Sequence, residues 1–335
     1  MKRVLVHGLG SIGRRHLRVI RAADATIELA ALSEHGSQLH PGESGVPVFR
    51  SMAQAQAFRP EAVVVANAAV GHVESAMAWL RAGAHVLIEK PLAAALDGTA
   101  DLAALAQVCG HVVQVGYNLR HSPGLQQMRA WCGARRLGRV HSVRAEVGQH
   151  LATWRHGADP LRSVSARRAL GGGVLLELSH EIDYLQWLLG PVAWVSAHLM
   201  CQGGWDIDVE DSALLTLGFA GTDGCVAALQ MDFVRHDATR RCTLIGDAGS
   251  LQWDALAGRL QARLAGSADW DLLPTEPGGR DATYAAQWAG FVTACAGQGA
   301  PAVTLAEGVR VLRVVEAVRH SSMLGGQRVP VEAAP

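Results

Sequence analysis

Val4-Leu-Val-His7 runs straight into Gly8-Leu-Gly10-Ser-Ile-Gly13, and Ser11 to Ala23 then carries helical spacing. A strand, a G-x-G-x-x-G turn and a helix in that order restrict the fold more than any other stretch of the chain. The first glycine makes the tight turn, the second lets backbone approach a pyrophosphate, and the third lets helix pack on strand. The helix start then offers free N–H groups to phosphates. A second strand, Thr26 to Leu32, is followed by Glu34, 21 residues beyond Gly13. A carboxylate there accepts the ribose hydroxyls of NAD. Arg14 and Arg15 sit at the turn, but no Arg follows the second strand immediately to receive a 2′-phosphate, so NAD is expected and NADP stays open.

Alternation continues. Ala62 to Ala66 is an unbroken apolar run suited to a strand buried on both faces of a parallel sheet. A helix over 70–82 stops at Gly83. His85 to Glu89 reads as a strand, Leu96 to Gln107 as a helix and Val112 to Tyr117 as a strand. Short links between them predict a doubly wound parallel sheet. After Arg120 the texture changes. One amphipathic helix is predicted over Leu175–Leu189, and alternating segments near 139–149, 192–201, 212–219, 224–235, 240–246, 250–254 and 259–264 predict mainly antiparallel strands. Residues 266–279 read as loop, and helices over 282–296 and 305–324 close the chain. The join is placed near residue 120, giving domains 1–120 and 121–335.

Composition removes several function classes. The chain of 335 residues carries 30 Lys and Arg against 30 Asp and Glu, so neither nucleic acid nor an anionic membrane is an expected partner. Its six cysteines form no Cys-x-x-Cys pair, which argues against zinc, iron–sulfur and disulfide frameworks and fits a reducing, cytoplasmic compartment. No signal peptide is expected, since Lys2-Arg3 leads into only a short strand, and apolar runs stop well short of a membrane span.

Two further stretches carry chemistry. Glu89-Lys90-Pro91 falls at the carboxyl end of a parallel strand, the edge where ligands bind in open α/β sheets. Partial burial there would lower the lysine pKa and suit it to proton transfer, against the plainer reading of an exposed strand-end lysine. Gly171-Gly-Gly173 leaves room for close backbone approach before Glu177, His180, Glu181 and Asp183. On one continuous helix, Glu177 and Glu181 would flank His180, holding its tautomer for proton shuttling. The alternative is an ordinary polar helix face. His with carboxylates could also take a metal, but no second His pair completes a site, so none is expected.

This ordered set, with Gly116-Tyr-Asn-Leu-Arg-His-Ser-Pro123, resembles the Gfo/Idh/MocA oxidoreductase family. The resemblance spans nearly the whole chain. It implies a Rossmann domain followed by an α/β domain with a large, open, mostly antiparallel sheet, whose open face forms homodimer or homotetramer contacts. It implies hydride transfer between NAD and a sugar-like carbinol or ketone. Gly8, Gly10, Ser11, Ile12 and Gly13 match the pyrophosphate turn, Glu34 the ribose carboxylate, and Asn67 and His72 the loop after the fourth strand. Glu89 and Asn118 match positions near the nicotinamide and its ribose. Lys90 matches the lysine for proton transfer or substrate orientation, in a Lys–Pro bond that is often cis. His180 matches the catalytic histidine. The more common Asp four residues before it is Leu176 here, and Glu177 stands three before it. A subgroup associated with surface-sugar or nonulosonic-acid synthesis shares this departure and a stretch like Trp154-Arg155…Asp159…Arg162. Arg120, Trp154, Arg155, Arg162 and Asp183 are therefore expected near substrate, a sugar, amino sugar or nucleotide sugar. Two alternatives remain: a redox-neutral epimerase or dehydratase holding its NAD, and a non-enzymatic NAD-dependent regulator.

Overall fold

A computed structural model describes residues 1–34, 45–154, 161, 163–275, 278–279 and 281–332. Arg155, Asp159 and Arg162 lie outside the described residues. The chain divides into two compact units, Met1–His121 with Gly279–Val309, and Ser122–Gly278 with Arg310–Pro335.

The first unit contains β1 (Arg3–His7), α1 (Ser11–Ala23), β2 (Glu28–Leu32), β3 (Val48–Phe49), α2 (Met52–Ala57), β4 (Ala62–Val65), α3 (His72–Arg81), β5 (His85–Glu89), α4 (Thr99–Cys109) and β6 (Val113–Gly116). Its six strands are all parallel, in the order β3-β2-β1-β4-β5-β6. The order reverses between β1 and β4, the switch point at which open α/β sheets bind ligands. Val4 to Val6, Val63 to Val65 and Val86 to Ile88 are wholly buried, as strands covered on both faces must be. The short β3 and α2 escape a hydrophobic-run reading because neither presents one.

In the second unit, α5 (Pro123–Gly133) precedes β7 (Val140–Gly148), α6 (Val174–Glu177), α7 (His180–Leu189) and β8 (Val192–Met200). Then come β9 (Ser212–Phe219), β10 (Val226–Asp232), β11 (Thr239–Gly246), β12 (Gly249–Asp254), β13 (Arg259–Leu264) and β14 (Asp271–Leu273), the last inside the stretch read as loop. Helix α8 (Ala282–Cys295) belongs to the first unit, α9 (Leu305–Met323) runs from the first unit into the second, and β15 (Val329–Pro330) closes the second sheet. That sheet has nine strands, β14-β13-β12-β11-β7-β10-β9-β8-β15. All its pairs are antiparallel except β7 with β10. One face is packed: Ala227, Leu229 and Met231 are buried on β10, while Ala228 and Gln230 between them are exposed. Gly124 of α5 seats on Trp253, where a Cβ would meet the indole at 2.5 Å. The other face is a shallow concavity of about 850 Å³ that includes Arg144, Glu146, Leu214, Thr216, Gln230 and Gln252. Among the described residues no helix is long and apolar enough to cross a membrane.

The helix expected over Leu175–Leu189 is broken. Leu178 and Ser179 separate α6 from α7. The Ser179 hydroxyl donates to the Leu176 carbonyl at 2.9 Å, and the Glu181 N–H turns to Leu178 O, so local bonds replace part of the helical ladder.

Candidate active site

Strand β1 delivers the chain to Gly8, whose φ of +109° is one an L side chain rarely adopts, and a Cβ there would lie 2.5 Å from Ala66 O and Asn67 N. A Cβ on Gly13 would collide with the Gly8 carbonyl, so helix and turn need glycine to close on each other. Nothing lies within 4 Å of a Cβ built on Gly10. Two glycines are thus required by the protein's own packing, and the third leaves the turn open. Gly10 caps the 13-residue helix α1 in extended conformation, with no side-chain cap for the first-turn N–H groups. Asn67 Oδ1 is a buried acceptor without a hydrogen-bond partner among the described residues. An open cradle, uncapped donors and an unanswered acceptor fit a dinucleotide. Ser11 is exposed at the helix start, and Ile12 packs against the core below it. Glu34 is exposed just beyond the end of β2.

Arg50 arrives at that same edge. It follows β3, the sheet neighbour of β2, and its guanidinium donates to Ser33 O at 3.1 Å. No Arg directly follows β2 in sequence, yet one reaches it through strand pairing.

Contacts link the rest of the first unit's residues to one another. Asn67 Nδ2 donates to Ser75 Oγ at 2.9 Å. His72 is buried, with Nδ1 2.9 Å from Pro91 O and Nε2 3.1 Å from Asn67 O. Its ring lies between the loop after β4 and the loop after β5, and when neutral it donates to one of these two carbonyls. Burial holds its pKa below the usual histidine range, against the two carbonyls and the Glu89 charge, which raise it. Glu89 is buried too, with Oε1 2.6 Å from His16 Nε2 and Oε2 accepting the Lys90 N–H at 3.2 Å. Lys90 is half-buried at the carboxyl end of β5, and its bond to Pro91 is cis. It is one of only two lysines among the chain's 30 basic residues.

Asn118 and Arg120 both have partners within the first unit. Asn118 Nδ2 donates to Thr283 Oγ1 of α8 at 2.7 Å, so one of its N–H groups holds the scaffold. Arg120, expected near substrate, is 4% exposed and donates to Glu307 Oε1 at 2.7 Å and to Ala302 O at 3.3 Å. Burial raises the Glu307 carboxyl, but the Thr304 N–H and Arg120 outweigh it and leave the pKa below the usual value. A guanidinium so engaged is a brace for residues 302–307 rather than a sugar contact.

In the second unit, His180 opens α7 and is 7% exposed, whereas Glu177 ends α6 and is half-buried. The helix break removes the single face on which Glu177 and Glu181 were to flank His180. Glu181 is fully buried and pairs with Arg240, Oε1 to Nε, at 2.9 Å. Asp183 is 1% exposed within α7. Trp154 is half-buried: its indole N–H donates to Gln149 O at 3.0 Å and its ring meets Phe233 edge-on at 4.9 Å. It therefore sits at the shared carboxyl ends of β7 and β10. Arg168, six residues after Arg162, donates twice to Asp208 O.

The glycine triplet is used differently from Gly10. A Cβ on Gly172 would collide with Val164 O, and one on Gly173, whose φ is +104°, with the Glu210 carboxylate. The close approach is to protein. Glu210 accepts the Leu175 N–H at 3.3 Å, and burial pushes its carboxyl up. His16, Arg50 and Glu210 were all missed from sequence. None belongs to a local pattern, and each is identified only by a partner distant in the chain. Among the described residues, no group of His, Cys, Asp and Glu could hold a metal ion.

Comparison with known proteins gives a consistent set. Residues 2–117 match the model of an oxidoreductase family with an NAD-binding Rossmann fold, and residues 125–252 match a GFO/IDH/MocA C-terminal domain. Inositol 2-dehydrogenase 2 of Saccharopolyspora erythraea is 28% identical over 98% of this chain and 95% of its own. GenD2 from gentamicin A biosynthesis, solved with NAD, is 26% identical with a TM-score of 0.83 over 99% of this chain and 97% of its own. The WlbA dehydrogenase from Bordetella pertussis, solved with NADH and UDP-GlcNAcA, is 22% identical and shares the fold, with a TM-score of 0.83 over 99% of both chains.

Proposed function

The chain belongs to the GFO/IDH/MocA family of NAD-binding oxidoreductases, and on that premise we propose that it oxidises a carbinol, or reduces a ketone, of a sugar, amino sugar or nucleotide sugar. Bound NAD accepts or supplies the hydride; the protein's task is to hold the cofactor and move the proton. Gly10 and the first turn of α1 would take the pyrophosphate, Glu34 the adenosine ribose, and Asn67 Oδ1 a cofactor donor. The sugar class is supported by the inositol and UDP-sugar names of relatives.

The observation that carries the chemistry is Lys90. Where 28 of 30 basic residues are Arg, the carboxyl end of β5 keeps a Lys. An ammonium can titrate and polarise an oxygen, whereas a guanidinium stays charged. In the oxidation direction His180 would take the proton of the reacting hydroxyl. Nδ1 of His180 is enclosed, so we assign the transfer to Nε2. Lys90 polarises the oxygen, and Glu177 orients His180 or a neighbouring hydroxyl. Reduction runs the same steps in reverse. Trp154, Arg155, Arg162 and Asp183 are assigned to substrate contacts.

We assign a homodimer or homotetramer to the open face of the nine-stranded sheet, supported by the exposed Leu214 among its polar side chains. A cytoplasmic setting is supported by six unpaired cysteines.

Lys90→Ala and His180→Ala test the assignment. Both should keep NADH affinity within about twofold while kcat on the active sugar falls about 10²-fold or more, the usual weight of a general acid–base group. Near-full turnover in both variants would remove these residues from the mechanism.

A further inference from the structure

His16 plays no part in the mechanism so far, yet its position calls for one. It projects from α1 three residues after the last cradle glycine and is completely buried. Its Nε2 lies 2.6 Å from Glu89 Oε1, while Nδ1 has no hydrogen-bond partner among the described residues. Glu89 is 5% exposed, and its second oxygen accepts the backbone N–H of Lys90. Burying an imidazole and a carboxylate together is seldom a net gain over an apolar pair of equal volume. The surroundings make the pair specific. Gly116 lies so close that a Cβ there would be 3.2 Å from the Glu89 carboxylate. Tyr284 of α8 meets the His16 ring edge-on at 5.8 Å, and Arg15 caps the same tyrosine at 4.8 Å while bound to Asp281 at 3.1 Å.

We infer that His16 is a positioning residue for Lys90: its imidazole fixes the Glu89 carboxylate, and Glu89 fixes Lys90 through the backbone N–H. The inference rests on Lys90 being the group that meets substrate. The helix that opens the cofactor cradle then also sets the lysine, so one element serves both. The charged and titratable groups around the pair are Lys90 beyond β5, His72 on α3, Tyr284 and Asp281 from the α8 end, and Arg15 on α1. Without His16, Glu89 becomes a buried carboxylate with one N–H donor, and burial favours its neutral form. Lys90 then loses a neighbouring negative charge, and its ammonium is held less firmly.

Lys90 can be read directly, because Lys2 is the only other lysine. The full chain is labelled with trace acetic anhydride across pH 6–11, and the peptides carrying Lys90 and Lys2 are quantified by mass spectrometry. In His16→Leu, the Lys90 labelling midpoint should fall by half a pH unit or more while that of Lys2 stays in place. His16→Gln, whose amide N–H still reaches Glu89, should restore most of the shift. Glu89→Gln, which removes the charge and keeps the shape, should move the midpoint in the same direction and serves if His16→Leu does not fold. An unchanged Lys90 midpoint in either folded variant overturns the inference. Full turnover in Lys90→Ala would instead sink the catalytic reading and leave the labelling result intact.

Discussion

Gly10→Ala separates a glycine kept for a ligand from glycines kept for packing. The backbone at Gly10 has a φ of −71°, which alanine adopts without strain, and the new Cβ would meet nothing within 4 Å. Alanine is a poorer N-cap than glycine by up to about 1 kcal/mol, whereas reduced freedom of the unfolded chain returns about 0.4–1 kcal/mol. Unliganded stability should therefore stay within about 1 kcal/mol, or about 2–4 °C in Tm. The cofactor should feel the methyl, which occupies the space a pyrophosphate needs against the helix start. A tenfold loss of affinity is about 1.4 kcal/mol. At an NADH concentration 100 times the wild-type Kd, linkage stabilises the wild type by about 2.7 kcal/mol and a tenfold weaker variant by about 1.4 kcal/mol. Thermal melts with and without NADH, together with a fluorescence titration, read both quantities. Wild-type NADH affinity in Gly10→Ala would refute the cradle, and so would a large loss of stability without ligand.

Two further outcomes follow from buried charge. Arg120→Met leaves Glu307 without its guanidinium, and since that carboxylate is partly exposed the loss should be about 2–3 kcal/mol in urea unfolding, with NADH affinity unchanged. A variant that keeps wild-type stability but binds sugar poorly would return Arg120 to the substrate. His7 accepts the Trp79 indole N–H at 3.2 Å, and burial, helped by His72, lowers its pKa from 6.5 to about 4. The unfolded chain therefore binds more protons between those values, so this contribution is fully present above pH 6.5 and is lost as pH falls toward 4. The loss is about 2 kcal/mol between pH 8 and pH 5, and His7→Gln should flatten the pH dependence of urea unfolding by that amount. An equal slope in the variant would mean that His7 is not held neutral.

The backbone plan was readable because it is written in local runs. Ala62–Val65 is apolar without interruption since both its faces are covered, and β10 alternates since only one is. Local runs stop informing where a hydroxyl can choose between two bonds, as Ser179 does, and a helix that looked continuous divides at the residue before His180. They also say nothing about partners far apart in the chain. Arg50 reaches the β2 edge through β3, Arg120 is claimed by Glu307, and His16 finds Glu89 across 73 residues. Glycine states the difference most sharply. Gly10 and Gly173 both stand in short glycine-rich turns ahead of a helix, and a sequence offers the same reason for each. Around Gly10 the space is empty, whereas at Gly173 the Glu210 carboxylate fills it. The first leaves the turn open, as the proposed cofactor cradle requires, and the second is a joint at the start of α6, which bears Glu177. A substitution at Gly173 should therefore act on catalysis only through the fold, while one at Gly10 should act on the cofactor alone.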